Sequence, residues 1–269
     1  MTVASPAQTK ARAPSRSTPH VEPTFVFGAR VNGQSNEPSA ATAIRYHGAD
    51  PFAWHGPTGN AYALPCQGSD GAPLGPRALT NYLDEFFRFA QANPEQRFRV
   101  ARLGCGDAAM RDADMAKLWR QAPKNCALPA VWQKELAHPE LARILVFDPL
   151  VRLKSALWRE ILARFLSLNL PLWGVTRCEF VSSAGPRGSQ CTADAAKELG
   201  YPHREIRADP GYYKEHADTA SDFLAIWHAT HLLSVTDPDQ TSVPSHVRLV
   251  NYAMRDGLMV DDLHMDNEP

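Results

Sequence analysis

The sequence has few cysteines, no long apolar run and almost no net charge. Its five cysteines are odd in number and never form a C-x-x-C pair, which argues against a disulfide framework and a zinc ribbon. No stretch approaches the roughly 18 continuous apolar residues that span a bilayer, and no apolar signal segment is found at the start. The formal net charge of -1 gives no global footprint for nucleic acid. We therefore expect a cytoplasmic protein with no metal, no cofactor, no membrane contact and no strong nucleic-acid signal.

Residues 1–23 differ in composition from the rest of the chain. They are rich in proline, carry Lys10, Arg12 and Arg16, and contain no acidic residue before Glu22. Their apolar surface is too small to offset the entropy cost of ordering them. The composition predicts a disordered basic arm, through which the chain would contact a protein partner or assemble with itself.

Strand and helix patterns alternate from Thr24 onwards. Apolar runs predict strands at Thr24–Phe27, Asn60–Leu64 (ended by Pro65) and Arg97–Leu103. Helical spacing predicts helices at Ala40–His47, Arg77–Ala92 and Ala113–Arg120. The second of these helices has one apolar face, formed by Leu79, Leu83, Phe86, Phe87 and Ala90. Three prolines between Pro123 and Pro139 then predict a domain boundary.

The alternation resumes after the boundary. The predicted strands are Arg143–Phe147, Glu179–Ser183, His203–Ile206, His231–Val235 and Met259–Val260. The predicted helices are Ser155–Leu168, with Leu157, Ile161, Leu162 and Phe165 facing inward, Thr192–Leu199, Glu215–Ala229 and Ser245–Arg255. This order predicts right-handed crossovers and a mainly parallel sheet, in which ligands bind beyond the carboxyl ends of the strands.

Three segments of the first half match known motifs in order and spacing. They are FGARVNG at 27–33, GNAYALP at 59–65 and VARLGCG at 100–106. Over Phe25 to about Trp132 the chain resembles the macro-domain-like proteins of phages and prophages, which carry F-G-S-N-L-x-G, G-x-S/A-Y-A-I/L-P-T and V-T-R-I-G-C-G-L. This resemblance implies a three-layer α/β/α fold that binds ADP-ribose, with backbone N–H groups of two glycine-rich turns on the phosphates.

Several positions of the first motif carry different residues here. The family's Ser-Asn is Ala29-Arg30, its His is Ser35 and its G-x-G is Asn36-Glu37-Pro38. Glu37 places a carboxylate where phosphate would approach, and Pro38 removes an N–H donor. The sequence therefore predicts a degenerate site with little or no catalysis.

The second half, about Ala142 to Leu263, carries VSSAGPRGSQ at 181–190, AAKELG at 195–200 and NYAMRDGLMV at 251–260. These stretches resemble the SLOG superfamily, Rossmann-like domains associated with nucleotide-derived ligands. The Asp of the family's G-G-A-R-G-x-D is Ser189 or Gln190 here. The two resemblances imply an α/β chain of two modules: a macro-like α/β/α module at 24–132 and a SLOG-like, mainly parallel Rossmann-type module at 142–263.

Candidate binding residues follow from these motifs. The first set comprises Gly28, Gly33, Gly104, Cys105 and Gly106, and the second comprises Gly185, Arg187 and Gly188. Backbone N–H groups would contact phosphate, with Arg187 as counter-charge. The alternative is that both stretches are ordinary tight turns and that Cys105 is a small buried hydrophobe. The spacing of His216, His228 and His231 does not predict a metal site.

We expect a phage-type accessory protein, in the host cytoplasm or the virion, that binds an ADP-ribose-like nucleotide-derived ligand or a protein partner. One alternative is a structural or assembly component of a phage particle that uses the folds as a scaffold. Another is an ADP-ribosyl hydrolase. The sequence patterns leave these alternatives open, because fold resemblance alone does not establish function.

Overall fold

A computed structural model describes residues 21–264, apart from positions 34 and 36 and the segments 106–109, 137–140, 148–154, 185–189 and 237–243. Within these residues, two five-stranded sheets are interleaved with helices. The strands of one sheet lie between residues 24 and 127, and those of the other lie between 141 and 264. The predicted two-module α/β fold class is confirmed. No described helix is both long and apolar enough to cross a membrane.

The first sheet has the strand order β2-β3-β1-β4-β5. Its strands are β1 (Thr24–Arg30), β2 (Gly56–Thr58), β3 (Ala61–Gln67), β4 (Phe98–Val100) and β5 (Cys126–Ala127). Among these described strands, only β2 runs antiparallel to its neighbour. The helices of this module are α1 (Pro38–His47), α2 (Pro76–Ala92), α3 (Asp112–Leu118) and α4 (Ala130–Leu136).

The two faces of the first sheet are covered differently. On one face, α2 buries the five residues that the sequence predicted, from Leu79 to Ala90. On the other face, α1 packs through the small residues Ala40 and Ala43 against Phe25 and Phe27 of β1. The small side chains bring α1 close to the sheet, which places the start of this helix beside the turn after β4.

Pro65 does not end the second strand, contrary to the sequence prediction, because β3 continues to Gln67. Pro65 pairs with Ala29 of β1. On its other side β3 pairs with β2 only as far as Ala63. At Pro65 this side of β3 is open, so the missing N–H of the proline removes no hydrogen bond to a neighbouring strand there.

β4 is shorter than the predicted strand Arg97–Leu103. The amide of Ala101 still bonds to the Val26 carbonyl, but the amide of Leu103 bonds back to the Ala101 carbonyl. Gly104 then takes a positive φ of 67°, which turns the chain away from the sheet. The proline-rich stretch after this turn contains β5 and α4, two short elements that were not predicted, and Trp132 of α4 is fully buried.

The second sheet has the order β10-β9-β6-β7-β8 and is parallel throughout its described strands, a Rossmann-like arrangement. Its strands are β6 (Leu141–Phe147), β7 (Arg177–Ser183), β8 (His203–Ile206), β9 (His231–Thr236) and β10 (Met259–His264). Its helices are α5 (Ser155–Leu172), α6 (Gln190–Glu198), α7 (Pro210–Tyr213), α8 (Ala217–His228) and α9 (Pro244–Arg255).

Two helix predictions in this half are wrong in part. The predicted helix Glu215–Ala229 begins at Ala217, after a 3₁₀ turn at Lys214–His216. Leu157 of α5 does not face inward but is 44% exposed, while its neighbour Trp158 is fully buried. The indole N–H of Trp158 donates to Thr192 Oγ1 of α6 at 3.1 Å. This bond joins the Trp158 face of α5 to α6 and leaves Leu157 outside.

The two modules share one continuous apolar core. It runs from α2 and Trp119 of the first module to Leu145 of β6 and Leu232 of β9. Helices α8 and α9 belong to the same core through buried residues such as Ala225 and Leu249. A second apolar cluster fills the opposite face of the parallel sheet, beneath α5 and α6. α8 and α9 therefore meet the first module through this core, and α7 meets it through Tyr212 and Tyr213.

Candidate ligand-binding site

A cavity of about 320 Å³ lies between the two modules. One wall comes from α1 and the chain around the end of β4, and the other comes from α8 and the end of α9. Its volume is at the lower end of the roughly 300–1,000 Å³ typical of small-molecule sites. The usual ligand edge of a Rossmann-like sheet is a different place. There, β6, β7 and β9 lead into segments 148–154, 185–189 and 237–243, which lie outside the described residues.

Aromatic side chains from both modules line this cavity. Tyr46 of α1 faces Phe223 of α8 with 6.2 Å between ring centroids, and Phe223 packs on Tyr252 of α9 at 4.7 Å. Trp227 of α8 lies beside them, and its indole N–H donates to the Val100 carbonyl at 2.8 Å. These rings give the cavity flat apolar walls, which suit a planar ring system.

Arg102 links the modules at one side of the cavity. Its Nε and Nη2 donate to the two carboxylate oxygens of Asp112, each at 2.7 Å. Its Nη1 donates to the backbone carbonyl of Arg255 at the end of α9. Gly257 lies against the same guanidinium, so that an added Cβ would stand 2.7 Å from Arg102 Nε. Arg102 is thus fixed by partners from both modules.

A second polar contact between the modules involves Glu22, which the sequence prediction assigned to the disordered arm. Glu22 is only 6% exposed. Its Oε1 lies 2.5 Å from Arg99 Nη1 and accepts the Tyr213 hydroxyl at 2.8 Å. The ion pair and the hydrogen bond compensate for its desolvation, so this residue is ordered.

His47 of α1 also faces the cavity and stacks on Phe25 at 4.7 Å. Its Nδ1 lies 3.0 Å from the Tyr212 hydroxyl. Burial, followed by the charge of Arg99, lowers the pKa of His47 to about 3. The imidazole is therefore neutral at physiological pH.

Glu37 occupies the turns that the sequence predicted to hold phosphate. Its Oε1 accepts the Gly104 amide at 3.3 Å and the Cys66 thiol at 3.4 Å, while its Oε2 accepts the Ser39 hydroxyl at 3.4 Å. The Gly28 amide is also used internally, because it donates to Ser39 Oγ at 3.1 Å. Burial raises the pKa of Glu37 despite these bonds. An internal carboxylate thus takes the place expected for an anionic ligand.

Asp256, directly after α9, is a second carboxylate on the cavity wall. It is partly buried, and desolvation raises its pKa to about 6, opposed by Arg102 and reinforced by Asp112. Among the described residues, no hydrogen bond or ion pair reaches its carboxylate, because Arg102 is committed to Asp112 and to the Arg255 carbonyl. A desolvated carboxylate without a partner is unfavourable, so this group stands out.

The sequence-predicted site residues lie in several places. Cys105 lines the cavity, and burial followed by the charge of Asp112 raises the pKa of its thiol to about 12. Gly33 lies in a turn against the Phe52 carbonyl and does not line the cavity. Four others, Gly106, Gly185, Arg187 and Gly188, lie outside the described residues. The proposed phosphate contacts therefore stay predictions.

The three histidines singled out in the sequence all make ring contacts with aromatic residues. His231 stacks on Trp173 with 4.0 Å between centroids, His228 lies edge-on to Trp227 at 4.7 Å, and His216 lies 5.5 Å from Tyr46. Within the part of the chain that the structure describes, no group of three or more His, Cys, Asp or Glu side chains could hold a metal ion.

Sequence reasoning missed Asp256, Arg255 and the aromatic walls. Arg102 and Cys105 were part of a quoted motif, but the motif gives no hint that Arg102 bonds to a residue 153 positions further along the chain. Asp256 follows a predicted helix and precedes a glycine, a pattern that also fits an ordinary helix end.

Comparisons with known proteins give no further guidance: no protein-family model, no curated protein and no solved structure matches this chain. The resemblances to macro-like and SLOG-like proteins therefore stay predictions.

Proposed function

We propose that the chain binds a nucleotide-derived small molecule in the cavity between its modules, with little or no turnover. The observation that carries this proposal is a cavity of about 320 Å³ with aromatic walls contributed by both modules. Enclosed apolar pockets with a few polar groups are the usual form of small-molecule sites. A site built from two modules also gives a reason for the modules to be docked on each other.

The side chains favour a nucleotide over a purely apolar ligand. The rings of Tyr46, Phe223 and Tyr252 offer stacking surface for a base. Arg255 lines the cavity with an exposed side chain and makes no side-chain ion pair with a described residue, so its guanidinium is available for a phosphate. The small volume favours a ligand of mononucleotide size. The sequence resemblance implies a larger, ADP-ribose-like ligand, and the titration described below therefore includes ADP-ribose.

The groups around the cavity support binding rather than catalysis. The Cys105 thiol, with its pKa raised to about 12, carries its proton at neutral pH. His47 is neutral, and its Nδ1 is held by Tyr212. The Ser39 hydroxyl lies near the Glu37 carboxylate but already accepts the Gly28 amide. None of these groups forms an activated nucleophile with a free base.

Calorimetric titration with AMP, GMP and ADP-ribose tests the proposal. Thr42 lies on α1 and lines the cavity, so Thr42→Trp should fill the space and reduce affinity at least tenfold. Ala41→Trp is the matched control, since Ala41 is exposed on the same helix and does not line the cavity. Saturable binding that only Thr42→Trp abolishes supports the proposal. Absence of binding to the folded wild type, or equal binding by both variants, contradicts it.

Self-assembly is a second candidate role, and exposed leucines on α5 favour it. Leu157, Leu168 and Leu172 are 44%, 59% and 80% exposed. Spacings of eleven and four residues place them on one face of the helix. If this face mediates assembly with a second copy, light scattering should show an oligomer that Leu168→Glu and Leu172→Glu together convert to a monomer. A monomeric wild type contradicts this role.

A further inference from the structure

The carboxylate of Asp256 lines the cavity without a hydrogen-bond or ion-pair partner among the described residues. The backbone around it is held by three hydrogen bonds, from the amides of Asp256, Gly257 and Leu258 to the carbonyls of Tyr252, Met254 and Ala253 at 2.9–3.1 Å. Arg102 packs on Gly257 directly after it. The carboxylate is therefore presented from a fixed turn, as a recognition group should be.

Other carboxylates in or beside the cavity are already satisfied. Glu37 accepts from Gly104, Cys66 and Ser39, Asp112 pairs with Arg102, and Glu22 pairs with Arg99 and Tyr213. Asp256 alone among these four has no such partner within the described residues. The charge of Arg102 partly opposes the burial that raises the pKa of Asp256, but Arg102 gives it no hydrogen bond, because its Nε and both Nη atoms donate elsewhere.

An unpartnered carboxylate in a cavity with aromatic walls has a specific chemical complement. Its two oxygens accept two parallel N–H groups, and the walls accept a flat ring. Guanine offers both features, since its ring N1–H and its 2-amino group are adjacent donors on one edge. Adenine offers one amino group beside a ring nitrogen acceptor, which would face the second carboxylate oxygen and be repelled.

We infer that Asp256 selects a guanine-type base, whose N1–H and 2-amino group donate to its carboxylate. This inference rests on the proposed nucleotide binding in the same cavity and names the ligand class. The base lies between the rings of α1, α8 and α9, and its phosphate extends towards the Arg255 guanidinium. Each donor lost from the base leaves a carboxylate oxygen without its partner.

Titration of the full chain with four purine monophosphates tests the selection. GMP should bind most tightly, and IMP, which lacks the 2-amino group, about 10- to 100-fold more weakly. AMP should bind at least as weakly as IMP. In Asp256→Asn the side-chain oxygen still accepts the N1–H of the base. The side-chain amide N–H now faces the 2-position of the base, where it complements the oxygen of xanthine and not the amino group of guanine. This variant should lose affinity for GMP at least tenfold and prefer XMP.

Asp218→Asn is the matched control, because Asp218 is exposed on α8 and does not line the cavity. It should keep the wild-type order of affinities, and circular dichroism should show both variants folded. Equal affinity of the wild type for all four nucleotides, abolished by Thr42→Trp, would overturn the role of Asp256 and leave nucleotide binding intact. An unchanged order in Asp256→Asn would do the same. No binding of any nucleotide would overturn both proposals.

Discussion

Glu37 and Asp256 face the same cavity from opposite modules, yet their surroundings differ. Glu37 is enclosed by the Gly104 amide, the Cys66 thiol and the Ser39 hydroxyl. The carboxylate of Asp256 has no hydrogen-bond partner in the described part of the chain. Burial raises the pKa of both groups. A raised pKa therefore does not by itself distinguish a structural carboxylate from a binding one, whereas the set of partners does.

This difference assigns separate roles to the two carboxylates. The bonds to Glu37 join the start of α1 to the turn after β4, so its carboxylate stabilises the local fold. The desolvation of Asp256 is offset only in part, by the charge of Arg102, and a ligand that donates to its carboxylate would offset more of it. Four substitutions test this contrast.

The largest effect should come from Arg102→Ala, because Arg102 holds the modules around both carboxylates. It leaves the partly buried Asp112 without its cation and removes the bond to the Arg255 carbonyl. Loss of one partner of a buried pair costs about 3–5 kcal/mol, so denaturant unfolding should show a loss of that size. Arg111→Ala is the control. Its ion pair with Asp114 is exposed, and its removal should cost much less than the removal of Arg102.

Asp256→Asn should stabilise the free protein, although it impairs binding. The folded pKa of about 6 lies above the ordinary value of 3.8, so between these values the folded state binds more protons than the unfolded state. The free energy of unfolding is therefore lowered as pH rises from about 4 to 6, by at most about 3 kcal/mol. Asp256→Asn has no carboxyl group at this position, so its free energy of unfolding does not show this decrease.

The measurement is the difference between the variant and the wild type in urea unfolding at several pH values. It should be near zero below pH 4 and largest above pH 6. Taking the difference removes the opposing contribution of His47, whose lowered pKa makes both proteins less stable in acid. A variant that is less stable than the wild type at pH 7 would show that Asp256 has a structural partner and would end the contrast with Glu37.

Gly257→Ala should disturb the turn that presents Asp256. Gly257 has φ of 75°, and its added Cβ would meet the guanidinium of Arg102. We expect a loss of about 2 kcal/mol, of which roughly 1 kcal/mol comes from the left-handed backbone. Gly174→Ala separates the two causes, because Gly174 has a similar φ of 64° with no atom within 4 Å of the added Cβ. If thermal unfolding shows the same loss of stability for Gly257→Ala and Gly174→Ala, the Arg102 side chain moves away from the added Cβ at no cost in stability.

Glu37→Gln should have the smallest effect, within about 1 kcal/mol in urea unfolding at pH 7. The amide relieves the desolvation that raises the pKa of Glu37, but it weakens the bonds from Gly104 and Ser39, so the two changes oppose each other. A stabilisation as large as that expected for Asp256→Asn would show that Glu37 is no better satisfied than Asp256.

Local patterns in the sequence predicted most of the elements. The apolar stripe of α2 from Leu79 to Ala90 and the β-strand runs follow from periodicity alone. The failures occurred where tertiary contacts override local signals. Pro65 continues a strand because one side of β3 is open, and Leu157 is exposed because Trp158 bonds to another helix.

The candidate site was much less predictable. Glu37 was recognised as an obstacle to phosphate because it departs from a local motif. The approach of Asp256 and Arg255 to Arg102 could not be recognised in the same way. It joins two modules across about 150 residues, and no periodicity in the sequence encodes such a contact. Aromatic residues such as Phe223 and Tyr252 lie at core-like spacing, which cannot tell a cavity wall from an ordinary core.

The shared apolar core has a consequence for how the chain is made. Residues such as Phe98 and Trp119 are synthesised well before Leu232 and Leu249, which belong to the same core. On the ribosome the first half therefore exposes part of its apolar surface until the second half emerges, a state that favours chaperone binding and aggregation. A gene fragment that encodes either half alone would leave this surface uncovered permanently. The two halves are expected to be inherited, expressed and lost together.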